Sequence, residues 1–159
     1  MKKNIIFWAV CAVAFIAWKF IFSTDTAKDT LRAIVVPNNE LNAAQIKQIE
    51  DIAGNIAAQS NANKQAMLDD MTVSFNAVAV GRNVRFENVI RVKKGLPPNT
   101  IKEWLDATAS EIIPKICAQN AKNPAFDRGL SYTFAYSNAY NEKLGDVFID
   151  QTTCKNKGL

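Results

Sequence analysis

Histidine is absent from the 159 residues of this chain. Imidazole is the side chain that proteins use most often for proton transfer near neutral pH and as a metal ligand, so its absence excludes much of enzyme chemistry. The chain also lacks a Gly-x-Ser-x-Gly elbow and a glycine-rich phosphate loop. We therefore predict no catalytic residue, no metal site and no cofactor. An envelope enzyme that uses carboxylates or a Ser/Lys pair is kept as an alternative.

Outside the N-terminus, the chain carries almost no net positive charge. The formal net charge is +4, but Lys2, Lys3 and Lys19 all flank the first apolar segment. Without these three lysines, sixteen Lys and Arg residues face fifteen Asp and Glu residues. A nearly neutral domain lacks the long-range field that draws proteins to phosphate backbones, so we predict no nucleic-acid partner.

A long hydrophobic run occupies residues 5–22 and is interrupted by Lys19 alone. About eighteen residues at a helical rise of about 1.5 Å nearly cover a hydrocarbon core of about 30 Å. Lys19 lies one turn from the end of the run, where its ammonium group can reach the headgroups. The run therefore predicts a single-pass helix that holds the protein at the inner membrane through residues 5–22.

The charges around this helix predict its orientation. Lys2 and Lys3 precede the run, whereas the charges that follow it cancel, and the positive-inside rule then places the N-terminus in the cytoplasm. We accordingly predict a membrane anchor at 1–22, a linker at 23–39 and one periplasmic domain at 40–159.

Two other interpretations of the N-terminus stay open. A cleaved signal peptide would use the small residues Ala12, Val13 and Ala14, and the domain would then be secreted with 15–22 as an exposed apolar start. Lipidation at Cys11 would need a small-residue motif before it, and the residues found there are Trp, Ala and Val. The uncleaved anchor fits the sequence best.

The remaining cysteines form one even pair, Cys117 and Cys154. Disulfides persist outside the cytoplasm, so we predict that the two are bonded. Two independent buried thiols are the alternative, since two cysteines without histidine make an incomplete metal ligand set.

Helix signals occur twice in the domain. Asn42 and Gln45 predict a capping box at the start of a helix that runs to about Gln59. Thr100 and Glu103 predict a second capping box, followed by an amphipathic helix that Pro114 should kink or split.

Alternating apolar and polar residues predict four strands. Residues 72–80 and 84–93 flank a Gly-Arg-Asn turn and form one hairpin, while 130–137 and 144–150 form another. The order of helices and strands predicts an α+β fold, in which an antiparallel sheet of two hairpins packs against helices on one face.

Several short motifs occur in a characteristic order between residues 67 and 154. They are Leu-Asp-Asp-Met-Thr at 68–72, Pro114 with Cys117, Gly-Leu-Ser-Tyr-Thr-Phe at 129–134, and the closing Cys154. In this order they resemble the small α+β pilotins of type II secretion and related small exported bacterial proteins. The resemblance implies a periplasmic location, a Cys117–Cys154 disulfide and a role in binding another protein. Such pilotins are typically outer-membrane lipoproteins, and this chain departs from them at its N-terminus.

Two sets of residues are candidates for partner binding. Positive charge concentrates on the first hairpin and its exit, at Arg85, Arg91 and Lys93, where the simpler interpretation is a solvated face. Aromatic residues alternate at Tyr132, Phe134 and Tyr136, where the simpler interpretation is core and the functional one is the wall of a groove for a partner.

The sequence thus predicts a membrane-anchored periplasmic protein-binding module. Its partner is another envelope protein, and its role is that of an accessory or assembly factor of an envelope or secretion complex. A periplasmic inhibitor or immunity protein is the alternative within the same class.

Overall fold

The computed structural model describes residues 41–159. The predicted anchor at 1–22 and linker at 23–39 lie outside these residues. Between residues 41 and 159, no helix is both long and apolar enough to cross a bilayer. The elements in chain order are α1 (Ala43–Ala62), a 3₁₀ turn (Lys64–Met67), β1 (Thr72–Val80), β2 (Asn83–Ile90), α2 (Pro98–Asn120), α3 (Pro124–Asp127), β3 (Ser131–Asn138), β4 (Lys143–Ile149) and α4 (Gln151–Asn156).

Helix α1 begins with the predicted capping box. The backbone N–H of Gln45 donates to the Asn42 side chain, and the backbone N–H of Asn42 donates to the Gln45 side chain, both at 2.9 Å. Two backbone donors of the first turn are thereby satisfied. The helix ends at Ala62, almost a turn beyond the predicted Gln59.

The four strands form one sheet in the order β1-β2-β3-β4. Both predicted hairpins are present, since β1 pairs antiparallel with β2 and β3 pairs antiparallel with β4. The prediction of a fully antiparallel sheet is wrong for the middle pair, because β2 and β3 are parallel. The long connection between them includes α2 and returns the chain to the end of the sheet where β2 began, so that Asn83 lies beside Ser131.

One face of the sheet carries the core, as predicted. Direct cross-strand partners share a face, and the row formed by Ala77, Phe86, Phe134 and Val147 packs towards both long helices. Ile49 of α1 and Ile116 of α2 belong to the same buried cluster, as do the following residues: Ala53, Ala57, Val84, Ile112, Tyr132, Ile149. The helices therefore cover one face and leave the other open.

The predicted start of α2 is wrong. The helix begins at Pro98, two residues before Thr100, and Pro97 caps it without a side-chain hydrogen bond. Proline suits the first helical position because its ring fixes φ and its missing N–H is not needed there. Pro114 does not split the helix, which continues to Asn120. Buried isoleucines on both sides of Pro114 hold the helix against the sheet.

The predicted disulfide is present. Cys117 and Cys154 are bonded, with their Cα atoms 5.5 Å apart. Cys154 lies in α4, the short helix that follows β4, rather than at the end of the strand itself. The bond therefore fixes the second half of α2 to the segment that continues from β4.

Candidate partner-binding site

The predicted basic residues do not form one cluster. Arg85 lies on the open face of β2, where its guanidinium is 3.4 Å from Asp146 Oδ1 and 3.7 Å from Glu87 Oε1. Strand β2 ends at Ile90, before the predicted end, so Arg91 and Lys93 lie in the following loop and are exposed. The charge of Arg85 is therefore largely balanced within the sheet, whereas the two loop residues present theirs to solvent.

The aromatic stripe of β3 lies between the sheet and the helices. Tyr132 is fully buried, and its hydroxyl is 3.3 Å from Asn120 Oδ1. Burial raises the pKa of the Tyr132 phenol well above its usual range, and it does the same for the pKa of Tyr136. The Phe134 ring lies 5.0 Å from the ring of Phe86, centroid to centroid. Tyr132 thus lies in the hydrophobic core, and Phe134 and Tyr136 pack against it.

Glu142 fixes the loop that precedes α2. Its Oε2 accepts hydrogen bonds from the Gly95 backbone N–H at 2.9 Å and from Asn138 Nδ2 at 2.6 Å. These two donors, and then the charge of Lys94, lower the pKa of the Glu142 carboxyl below its usual value. The bond joins the β2–α2 loop to the β3–β4 turn and so positions the first turn of α2.

A groove of about 600 Å³ runs between the first half of α2 and β4. Its apolar lining comes from one side of the helix and from residues along the edge strand: Ile101, Leu105, Ala109, Leu144, Val147, Phe148. The helix residues are spaced by four, which places them on one side of α2. Phe148 is 51% exposed, an unusual environment for a large apolar side chain.

Gly145 permits the Leu105 side chain of α2 to lie directly on β4. A Cβ atom at position 145 would overlap the Leu105 side chain, and the Gly145 φ of +153° lies in a region that other residues rarely adopt. Leu105, which also lines the groove, therefore packs against the backbone of β4 at this glycine.

The charged groups beside the groove pair with one another. Lys102 Nζ is 2.6 Å from Asp106 Oδ2, and Lys143 Nζ is 2.8 Å from Asp146 Oδ2. The hydrogen bond and charge of Asp106 raise the pKa of Lys102, which keeps this ammonium protonated. Among residues 41–159, no three His, Cys, Asp or Glu side chains are placed to hold a metal ion. Apolar contact is what this surface offers to a ligand.

The groove was not predicted. The sequence predicted an amphipathic helix after Thr100 and a strand at 144–150, without a surface between them. One signal was available, because Val147, Phe148 and Ile149 are consecutive apolar residues where a half-buried strand should alternate. The outward-facing member of such a run marks an exposed apolar surface.

Comparison with known proteins identifies the fold. No family model matches the chain, and no curated protein matches its sequence. Solved structures do match. The type II secretion system pilotin AspS from Vibrio cholerae is similar over 70% of this chain and 97% of its own, with a TM-score of 0.50 and 21% identity. This domain has the fold of a type II secretion pilotin.

Two further structures agree. The pilotin EpsS from the Vibrio vulnificus type 2 secretion system matches over 71% of this chain and 97% of its own, with a TM-score of 0.50 and 18% identity. A putative secreted protein from Pseudomonas aeruginosa matches over 72% of this chain and 99% of its own, with a TM-score of 0.58 and 11% identity. The resemblance seen in residues 67–154 is therefore confirmed as a likeness in fold, both to pilotins and to a secreted protein.

Proposed function

We propose that this protein is a membrane-anchored periplasmic binding module, which acts as an accessory or assembly factor of an envelope or secretion complex. The observation that carries the proposal is the shared fold, which extends over nearly the whole length of two type II secretion pilotins. Because fold alone does not determine function, the proposal also depends on the chemistry of the surface.

The location follows from two features. The apolar run at 5–22, preceded by Lys2 and Lys3, favours an inner-membrane anchor with a cytoplasmic N-terminus. The Cys117–Cys154 disulfide favours an oxidising compartment for the domain. Together they support a periplasmic domain tethered by its N-terminus.

Binding, rather than catalysis, fits the groove between α2 and β4. Its lining is mainly apolar, and the charged groups among the lining residues pair with each other or with neighbouring charges instead of converging on a vacant point. Catalytic sites generally gather several titratable groups around one reacting atom. We therefore expect the partner to be another envelope protein.

Affinity purification tests the proposal. The full chain with a C-terminal tag is solubilised in detergent from the envelope of the native host, and co-purifying proteins are compared with those of an untagged strain. We expect one envelope or secretion protein to be retained by wild type and lost with Ile101→Asp, which places a charge in the groove. Val80→Asp is the matched control, since Val80 is 64% exposed and lies on β1, away from the groove.

Four outcomes have different meanings. Equal recovery with both variants would exclude the groove, and loss with Arg91→Gln and Lys93→Gln instead would transfer the role to the basic loop. Recovery of no envelope protein would overturn the proposal. If the retained protein is an enzyme whose activity falls on binding, the inhibitor or immunity alternative replaces the assembly factor.

A further inference from the structure

Side chains occupy part of the outer edge of β1. Asn61 Nδ2 donates to the Ala77 carbonyl at 2.7 Å, and the Ala77 N–H donates to Asn61 Oδ1 at 2.8 Å. One amide side chain thus occupies both outward backbone groups of Ala77, in the second half of the strand. Nearer the start of the strand, Asp69 accepts from the backbone N–H groups of Met71 and Thr72. Side chains therefore interrupt this edge at Ala77 and at the start of the strand.

The direction of the backbone groups on β4 follows from β3. The Ser131 N–H donates to the Arg82 carbonyl at 3.0 Å, so the backbone groups of Ser131 and of every second residue after it point towards β2. The intervening residues point towards β4, because backbone groups alternate in direction along a strand. Among them, Phe134 is paired with Val147.

Asp146 and Phe148, on either side of Val147, must therefore turn their N–H and C=O groups away from β3. Within residues 41–159, no hydrogen bond to these outward groups is present beyond those of the sheet. The two residues are about 7 Å apart along the strand, which is the spacing at which an extended chain repeats its hydrogen bonds. The open edge adjoins the apolar groove, and Phe148 stands exposed beside it.

We propose that β4 accepts an extended segment of a partner protein as a fifth strand of the sheet. This inference rests on the proposed function and specifies how the partner binds. A helix cannot satisfy the outward groups of Asp146 and Phe148, because its own backbone groups are already bonded to each other, whereas an extended segment can.

The surroundings of β4 define the chemistry of this segment. Alternate residues of an added strand would face the groove beside Ile101 and Leu105, while the others would lie on the open face beside Phe148. The neighbouring charges are already paired, in Lys102–Asp106 and Lys143–Asp146. The segment that fits is therefore uncharged and apolar at every second position.

A peptide probe tests the mode of binding directly. Random decapeptides displayed on phage are selected against the full chain in detergent, and the strongest binder is synthesised with a single N-methyl group at each amide in turn. An added strand directs every second amide at β4, so methylation should lower affinity at least tenfold at alternate positions and less than twofold between them. Failure to select a peptide, or sensitivity without a two-residue period, would overturn the proposal.

Variants of the chain test the same contact from its other side. Phe148→Pro removes an outward N–H together with the side chain, whereas Phe148→Ala removes the side chain alone; proline is tolerated where an edge strand faces solvent. We expect Phe148→Pro to bind the selected peptide at least tenfold more weakly than Phe148→Ala. Ala79→Pro removes an outward N–H on β1, at the opposite edge of the sheet, and should bind as wild type does. Equal binding by both Phe148 variants would contradict the inference.

If Phe148→Pro does not fold, amide exchange in the wild-type chain provides the test instead. Bound peptide should slow exchange of the Asp146 and Phe148 amides at least tenfold, and unchanged rates would overturn the inference. If these amides are already slow without peptide and the chain is dimeric, the occupant is a second copy and the proposed partner segment is wrong. An envelope partner that is retained while the peptide tests fail would leave the proposed function standing and exclude only this mode of binding.

Discussion

The two outer strands of this sheet differ in the hydrogen bonding of their outward backbone groups. On β1, Asn61 reaches from α1 to occupy both outward groups of Ala77. On β4, the neighbouring helix α2 lies over the face of the strand, and within residues 41–159 the outward groups of Asp146 and Phe148 have no hydrogen-bond partner. Asn61 lies in the last turn of α1, which packs against β1, whereas the helix that packs against β4 bonds to none of its outward backbone groups among the described residues.

An open edge is a hazard that proteins usually remove, since it can pair with any exposed strand. Within residues 41–159, Asn61 bonds to the edge of β1 at Ala77, whereas no side chain or strand bonds to the edge of β4 next to the exposed Phe148. Among the residues that the structure describes, the proposed strand-binding edge is therefore the one on the β4 side.

The largest expected effect comes from the disulfide on the β4 side. Replacing Cys117 and Cys154 together with serine frees a loop of 37 residues, which should lower the free energy of unfolding by about 4 kcal/mol on the loop-entropy model. Urea unfolding of the full chain in detergent measures this. Cys11→Ser is the control and should leave stability unchanged. A loss below about 1 kcal/mol would show that the bond does little to hold α2 near β4.

The contact between α2 and β4 should be the next most sensitive. Gly145→Ala introduces a Cβ that overlaps Leu105 and imposes an unfavourable φ, so it should cost about 1–3 kcal/mol. Leu105→Ala removes the overlapping atoms, and the double variant should lose less than the sum of the two single losses. Thermal unfolding of the four proteins decides this, and strict additivity would exclude the close approach as the cause.

Removing the Asn61 side chain from the edge of β1 should have a smaller effect. Asn61→Ala removes two hydrogen bonds to Ala77, which water can partly replace, so we expect a loss of about 1–2 kcal/mol. Asn63→Ala is the matched control, since Asn63 donates to the Gln59 carbonyl on an exposed turn. The Ala77 amide should then exchange faster only in the Asn61 variant. Equal stability of the two variants would mean that the side chain of Asn61 does not close the edge.

The smallest effect concerns pH and the loop before α2. The pKa of Glu142 is lower in the folded state, so its stabilising contribution is complete above the ordinary value of 4.5 and is lost as pH falls through the lowered value. Wild type should therefore lose stability below pH 4.5 more steeply than Glu142→Gln, which does not titrate. Melting temperatures across this range measure the difference. Parallel curves would show that the bond to Gly95 is not maintained in solution.

Local signals predicted much of this fold. The capping box of Asn42 and Gln45, both hairpins and the cysteine pair each depend on residues close in sequence or on simple counting, and each is confirmed. The parallel pairing of β2 with β3 was missed because it depends on where a connection of some forty residues returns. The start of α2 was missed because Pro98 began the helix before the Thr100 signal.

The candidate site was harder to predict for the same reason. The hydrogen bonds at the edge of β1 join Asn61 to Ala77, sixteen residues away, and no sequence pattern marks either residue. The groove depends on the approach of Leu105 to Gly145, forty residues apart in the chain, and only the exposed apolar Phe148 signalled it locally.

Hydrogen exchange of the free protein tests the contrast between the two edges most directly. In the full chain in detergent micelles, two-dimensional NMR follows the amides of Ala77, Asp146 and Phe148 at low protein concentration. We predict that the Ala77 amide, bonded to Asn61, exchanges at least a hundredfold more slowly than the outward amides of Asp146 and Phe148. Equally slow exchange of all three in the monomeric protein would mean that β4 is already covered, and the account of an open binding edge would be wrong.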